Sequence, residues 1–144
     1  MKNNVILAID GSVGSDRALA YARQRAELQG ASVIVAYIIE WSPFAFSTPE
    51  ENAERHARRE NEVARAKASV VAPAVTYLKE AGVKVTSVVR HGSPAETLLR
   101  VAEEYEAAQI IIGRRGQSTI KSLLFGSVAA NLIQTATVPV VVVP

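Results

Sequence analysis

An open α/β domain built on a parallel sheet is the fold class this sequence predicts. Three observations predict it: short β-branched apolar runs, stretches of helical period between them, and the alternation of the two along the chain. The runs are Val5–Ile9, Val33–Ile39, Val83–Val89, Ile110–Ile112 and Val138–Val143. Near-continuous apolar strands suit a sheet buried on both faces, which is the setting of parallel strands flanked by helices. Right-handed crossovers then give a twisted, five-stranded open sheet with helices on both faces. In the order 3-2-1-4-5, strands one and four are neighbours at the point where the winding reverses, and ligands bind beyond strand ends at such points.

Each element has its own signal. The first strand leads into Asp10-Gly11-Ser12-Val13-Gly14-Ser15, after which Ala18, Leu19, Ala22 and Ala26 fall on one helical face. The second strand is followed by Trp41-Ser42-Pro43-Phe44-Ala45-Phe46-Ser47-Thr48-Pro49, where two prolines argue against regular structure. Its aromatics either fold back onto the domain or form a lid or partner surface over the strand ends. Val63, Ala66, Val70, Ala74, Tyr77 and Leu78 share a face of the long second helix, which Pro73 should kink or split. The third helix opens with Ser93 as N-cap, Pro94 at the first position and Glu96 at the third, a capping box, and buries Leu98, Val101, Ala102 and Tyr105. The fourth is expected to start with Ser127 as its cap and to bury Val128, Leu132 and Ile133.

The bulk composition narrows the function classes. A chain of 144 residues with 49% apolar and 21% charged residues reads as one globular domain, 1–144, without internal repeat or linker. With no cysteine, disulfides, zinc–thiolate sites and thiol catalysis are excluded. The net charge of +2 comes from 16 basic and 14 acidic residues, so no nucleic acid partner is implied. The charged stretch from Glu50 to Lys67 alternates in sign, as a solvated helix face with i,i+4 pairs does. The first apolar run is too short for a signal segment or a membrane span, so no membrane partner and a cytoplasmic location are expected.

Chemistry concentrates in one pattern. Gly113-Arg114-Arg115-Gly116 follows an apolar strand, and Gly126-Ser127 opens a helix after nine further residues. Glycine lets a ligand approach the backbone, and a helix start carries partial positive charge, so the pair makes a plausible phosphate cradle. A tight strand–helix connection that binds nothing has the same glycines. The predicted strand order places Asp10 and this loop on one crevice. Neither loop is a P-loop or a dinucleotide fingerprint: there is no G-x-x-x-x-G-K-[ST], and Gly11-Ser12-Val13-Gly14 has the wrong spacing.

Gly113-x2-Gly116-x9-Gly126-Ser127 resembles the glycine pattern of the ATP-binding class of universal stress proteins. The likeness runs the length of the chain: Val5–Ser12 is similar to the family's opening strand and turn, His91–Glu96 to its third strand–helix junction, and Pro139–Pro144 to its terminal strand. The resemblance implies a Rossmann-like fold of the adenine nucleotide alpha hydrolase type that binds ATP and usually dimerises, with Mg²⁺ as the usual companion of the nucleotide. It implies that Asp10 and Ile9 meet the adenosine part and that Ile38 lies against adenine. Gly113, Arg115, Gly116, Gly126, Ser127 and Val128 would surround the phosphates. Two departures stand out: Gln109 where many members carry Asp, at the end away from the crevice, and Ala129 where a hydroxyl is frequent.

Asp10 could instead cap its own turn, and Arg115 and Lys121 could be plain surface charges. His91 and His56 are assigned to packing or surface roles, with no metal-site spacing around either. No base is spaced to activate Asp10 or Ser127, so binding without efficient turnover is expected, with slow ATP hydrolysis at most. Val138–Val143, apolar at a sheet edge, suggests a two-fold homodimer through that strand. The expected function is an ATP-binding stress-response module that signals to a protein partner. The alternative is a dimeric interaction module of the same fold that works without nucleotide.

Overall fold

The computed structural model describes residues 3–40, 49–116 and 126–144. Five parallel strands, β1 (Asn4–Ala8), β2 (Ser32–Glu40), β3 (Val85–Gly92), β4 (Gln109–Gly113) and β5 (Val140–Val143), form one sheet in the order 3-2-1-4-5. Between them lie α1 (Val13–Gln29), α2 (Pro49–Ala66), α3 (Ala72–Glu80), α4 (Pro94–Glu104) and α5 (Ser127–Thr135). Strand parity sorts the core into two layers. Val5, Leu7, Val33, Val35 and Ile111 face Ala18 and Ala22 of α1 and Leu78 of α3. Ile6, Ile34, Ala36 and Ile110 face Leu98 and Val101 of α4 and Leu132 of α5. Leu78 and Leu132 are wholly buried, and truncating either to alanine should cost about 2–5 kcal/mol.

Local chemistry explains where elements differ from expectation. The second helical stretch is divided just before Pro73, with a π-helical turn, Lys67–Val71, at the break, and resumes as α3 with the proline in its first turn. The wide turn adds a residue, so Val71 joins the buried stripe. β3 starts later than its apolar run because Val83 still donates to the Leu78 carbonyl at 3.2 Å, closing α3. It then continues through Arg90 and His91, polar residues that an edge strand can carry. β5 starts at Val140, since Pro139 has no N–H to give, although its carbonyl accepts from Ile110 at 2.9 Å.

Two expected caps are corrected. Ser93 is the N-cap of α4 but makes no side-chain cap bond; Glu96 pairs instead with Arg100 one turn on, at 3.2 Å, so the capping box is not formed. The cap of α5 is Gly126, and Ser127 is its first helical residue. The helix buries Leu132 as expected and Ala129 besides, whereas Val128 is half-buried and Ile133 is 51% exposed. In α2 the mixed charges do pair at i,i+4, as Glu54–Arg58 and His56–Glu60.

Candidate functional site

At the carboxyl end of β1 the chain turns on a closed set of short hydrogen bonds. The Ser12 amide donates to Asp10 Oδ1 at 2.9 Å, the Ser15 amide to Ser12 Oγ at 3.1 Å, and the Asp10 amide to Ser15 Oγ at 3.1 Å. Ser12 is thereby the N-cap of α1, and the carboxylate of Asp10 is aimed across the strand end. Asp10 does cap its turn, and it does so with one oxygen. The other, Oδ2, lies over Gly116: a Cβ built on that glycine would stand 2.5 Å from it.

The glycines meet backbone to backbone. A Cβ on Gly14 would lie 2.5 Å from the Arg115 carbonyl oxygen, and one on Gly113 would lie 2.7 Å from the Gly14 oxygen. Gly126 donates to the Arg114 carbonyl at 2.8 Å, and Arg114 donates to Val143 at 2.7 Å. Both glycine turns are therefore stitched to each other, to the first turn of α1 and to the end of β5. Gly113 is needed for close contact with the first turn of α1, a demand that the sequence pattern did not reveal.

These turns wall a cavity of about 410 Å³ over the switch point, a volume within the range of small-ligand sites. Every residue expected at a ligand lines it: Ile9, Asp10, Ile38, Gly113, Arg115, Gly116, Gly126, Ser127 and Val128. Ala129 also lines it, offering a methyl where a hydroxyl would be a further donor. The first backbone bond of α5 runs from the Ala130 amide to the Gly126 carbonyl at 3.0 Å, so the amides of Ser127, Val128 and Ala129 have no intrahelical acceptor. Together with the Arg115 side chain they make an anion-favouring wall.

The opposite wall is β2. β1 ends at Ala8, level with Ala36, while β2 runs on to Glu40. The Ile9 amide takes the Ala36 carbonyl at 3.0 Å. Strand alternation then turns the amide and carbonyl of Ile38 towards the space β1 has vacated. Ile38 presents a flat apolar surface with a donor–acceptor edge beside it. The sequence had not marked Ser15, Glu40, Pro94 or Leu98 as lining residues. Pro94 and Leu98 were legible as helix start and core stripe. Their second role appears once α4 covers the face of the sheet that carries Ile38.

Other expected positions lie elsewhere. Gln109 opens β4 opposite Val5, at the far end of the sheet from the cavity. His91 is mostly buried within β3 and pairs with Glu62 of α2 at 3.1 Å, a carboxylate partner that sequence spacing did not reveal. His56 is on the exposed charged face. Lys121 and residues 41–48 of the aromatic segment fall outside the described residues. Among the described residues there is no group of three or more side chains suited to hold a metal, and no helix long and apolar enough to cross a membrane. The Arg90 guanidinium, bonded to Glu104 at 2.6 and 2.9 Å, holds that carboxyl below its ordinary range, and Glu104 in turn raises Arg90. That pair joins β3 to α4 outside the cavity.

An open parallel sheet with a glycine-walled crevice over its switch point defines an α/β protein of the ligand-crevice class. The model of the universal stress protein family matches residues 1–144, and the chain belongs to that family. A universal stress protein of Thermus aquaticus is 32% identical over 145 residues, covering 99% of each chain. The structure of MJ0577, a universal stress protein of Methanocaldococcus jannaschii, superposes with a TM-score of 0.83 at 25% identity, over 99% of this chain and 96% of that one. A universal stress protein in complex with cAMP superposes with a TM-score of 0.70 at 26% identity, over 99% of this chain and 96% of that one.

Proposed function

We propose that this universal stress protein binds an adenine nucleotide in the switch-point cavity, with ATP as its ligand. The observation that carries the reading is the polarity of that cavity. Among the described residues, an aliphatic wall at Ile38, whose backbone edge has no strand partner on the β1 side, faces Arg115 and the three α5 amides that lack an intrahelical acceptor, with Asp10 between them. A base, a ribose and a phosphate chain present apolar, hydroxyl and anionic character in that same order. The relative of similar fold in complex with cAMP supports an adenine ligand.

In this reading Ile9 and Ile38 hold the base, and Asp10 accepts from the ribose hydroxyls. Gly113, Arg115, Gly116, Gly126, Ser127 and Val128 surround the phosphates. Mg²⁺ would be held by the phosphate oxygens and its own waters, as this cation commonly is, since Asp10 is engaged by the ribose and by the Ser12 amide. Bound there, the ion would neutralise phosphate charge. Asp10 has its Oδ1 committed to the Ser12 amide, and no histidine lines the cavity among the described residues. The protein is therefore a binding module with slow hydrolysis at most, acting in the cytoplasm through nucleotide-dependent contacts with a protein partner.

A two-fold homodimer through β5 goes with this reading. β5 is an edge strand, and its four valines are only half-buried. The same apolar edge is what favours the second reading, a dimeric module that works without nucleotide. Isothermal titration with Mg-ATP separates the two. Saturable heat at tens of micromolar supports the first; no heat, with no nucleotide released on denaturing the purified protein, leaves the second.

A further inference from the structure

The cavity contains one charged group that the nucleotide reading has not used. Glu40 is the last residue of β2 and lines the cavity at its outer end. Ile34, Ala36 and Ile38 share the face of β2 that meets α4, and period two puts Glu40 on that face too, one step beyond Ile38. The basic side chains nearest in the sheet register are engaged elsewhere. Arg90, level with Ile38, is held by Glu104, and His91, level with Ile39, is held by Glu62. Among the described residues the Glu40 side chain makes no hydrogen bond or ion pair, while its backbone is paired with Gly92.

We infer that Glu40 is a base-selecting residue: its carboxylate, just past Ile38, favours a purine that presents an exocyclic amino group and disfavours one that presents a carbonyl there. The inference rests on the nucleotide reading above and adds the specificity of its base end. A carboxylate only accepts hydrogen bonds. A 6-amino group donates to it, whereas a 6-oxo group sets oxygen against oxygen. The anionic end of the ligand is meanwhile drawn to the opposite wall at Arg115 and the start of α5, so the two ends of the cavity orient the nucleotide in one sense only.

ATP and ITP differ at this position in the way the test requires. Dissociation constants for both, with Mg²⁺, are measured by titration on wild type, Glu40→Gln and Glu40→Ala. A glutamine side chain can donate as well as accept, so Glu40→Gln should lower the preference for ATP over ITP about fivefold, mainly by tightening ITP. Glu40→Ala should lower it by a similar factor through weaker ATP binding. ATP and ITP affinities whose ratio is unchanged in both variants would overturn the inference while leaving nucleotide binding intact. A wild type that binds neither nucleotide would overturn the nucleotide reading, and this inference with it.

Discussion

Glycines at the two ends of the sheet serve different physical needs, and the contrast locates the site. Gly30 and Gly82 follow α1 and α3 with φ of 63° and 77°, and a Cβ on either would meet nothing within 4 Å. They are present because the left-handed conformation that ends a helix penalises other residues. Gly14, Gly113 and Gly116 at the carboxyl end have no such torsion, and added Cβ atoms would strike Arg115, Gly14 and Asp10. There the missing side chain permits backbone contact. At Gly30 and Gly82 glycine serves a torsion and at Gly14, Gly113 and Gly116 a close approach, while Gly11, with φ of 79° in the Asp10 turn, brings the first need to the crevice end as well.

The largest effect expected from breaking that contrast is at Gly113 and Gly14. In Gly113→Ala the new methyl meets Gly14 backbone, which cannot step aside without moving α1, and a loss of about 3 kcal/mol is expected by denaturant melts. Gly14→Ala should destabilise similarly, although alanine is the better helix former by about 1 kcal/mol. A stabilised Gly14→Ala would show that the close approach is not real. Gly116→Ala should act differently, because its methyl meets the end of the Asp10 side chain. It is expected to keep its melting temperature within a few degrees yet weaken Mg-ATP about tenfold by titration, since Asp10 must turn away from the cavity.

Gly30→Ala is the control at the other end. It should cost about 1 kcal/mol from the left-handed torsion and leave nucleotide affinity unchanged. The smallest effect concerns pH. Glu104 titrates below its ordinary value of 4.5 because Arg90 donates to it, so this pair stabilises the fold above that value and ceases to do so as pH falls through the lowered one. The stability gap between wild type and Arg90→Met, measured by urea melts at a series of pH values, should narrow in acid. A gap that is constant from neutral pH down to acid would contradict the assignment.

Much of this was legible in the sequence because the signals were local and redundant. Apolar runs separated by helical periods restrict the fold to doubly wound sheets with right-handed crossovers, of which 3-2-1-4-5 is one order, and that order brings Asp10 towards Gly116. The purpose of the glycines was not legible. Whether Gly113 faces a ligand or Gly14 depends on how closely α1 approaches β4, a distance of tertiary origin. The role of Glu40 was hidden for a related reason: β1 stops level with Ala36 while β2 continues, and only the register reveals the overhang. Ser127 shifted from cap to first helical residue because the Gly126 carbonyl already accepts the helix's first bond, from the Ala130 amide. His91 found Glu62 across a separation in sequence that no spacing rule covers.

The central claim, that the glycine-walled end of the sheet and not its opposite end receives an adenine nucleotide, is tested most directly by hydrogen–deuterium exchange with and without Mg-ATP. Slower exchange is predicted at Asp10–Gly14, Ile38–Glu40, Gly113–Gly116 and Ser127–Ala129, with Gly30 and Gly82 unchanged. Unaltered exchange at those four segments under saturating nucleotide, or protection gathered at the helix-end glycines, would contradict it.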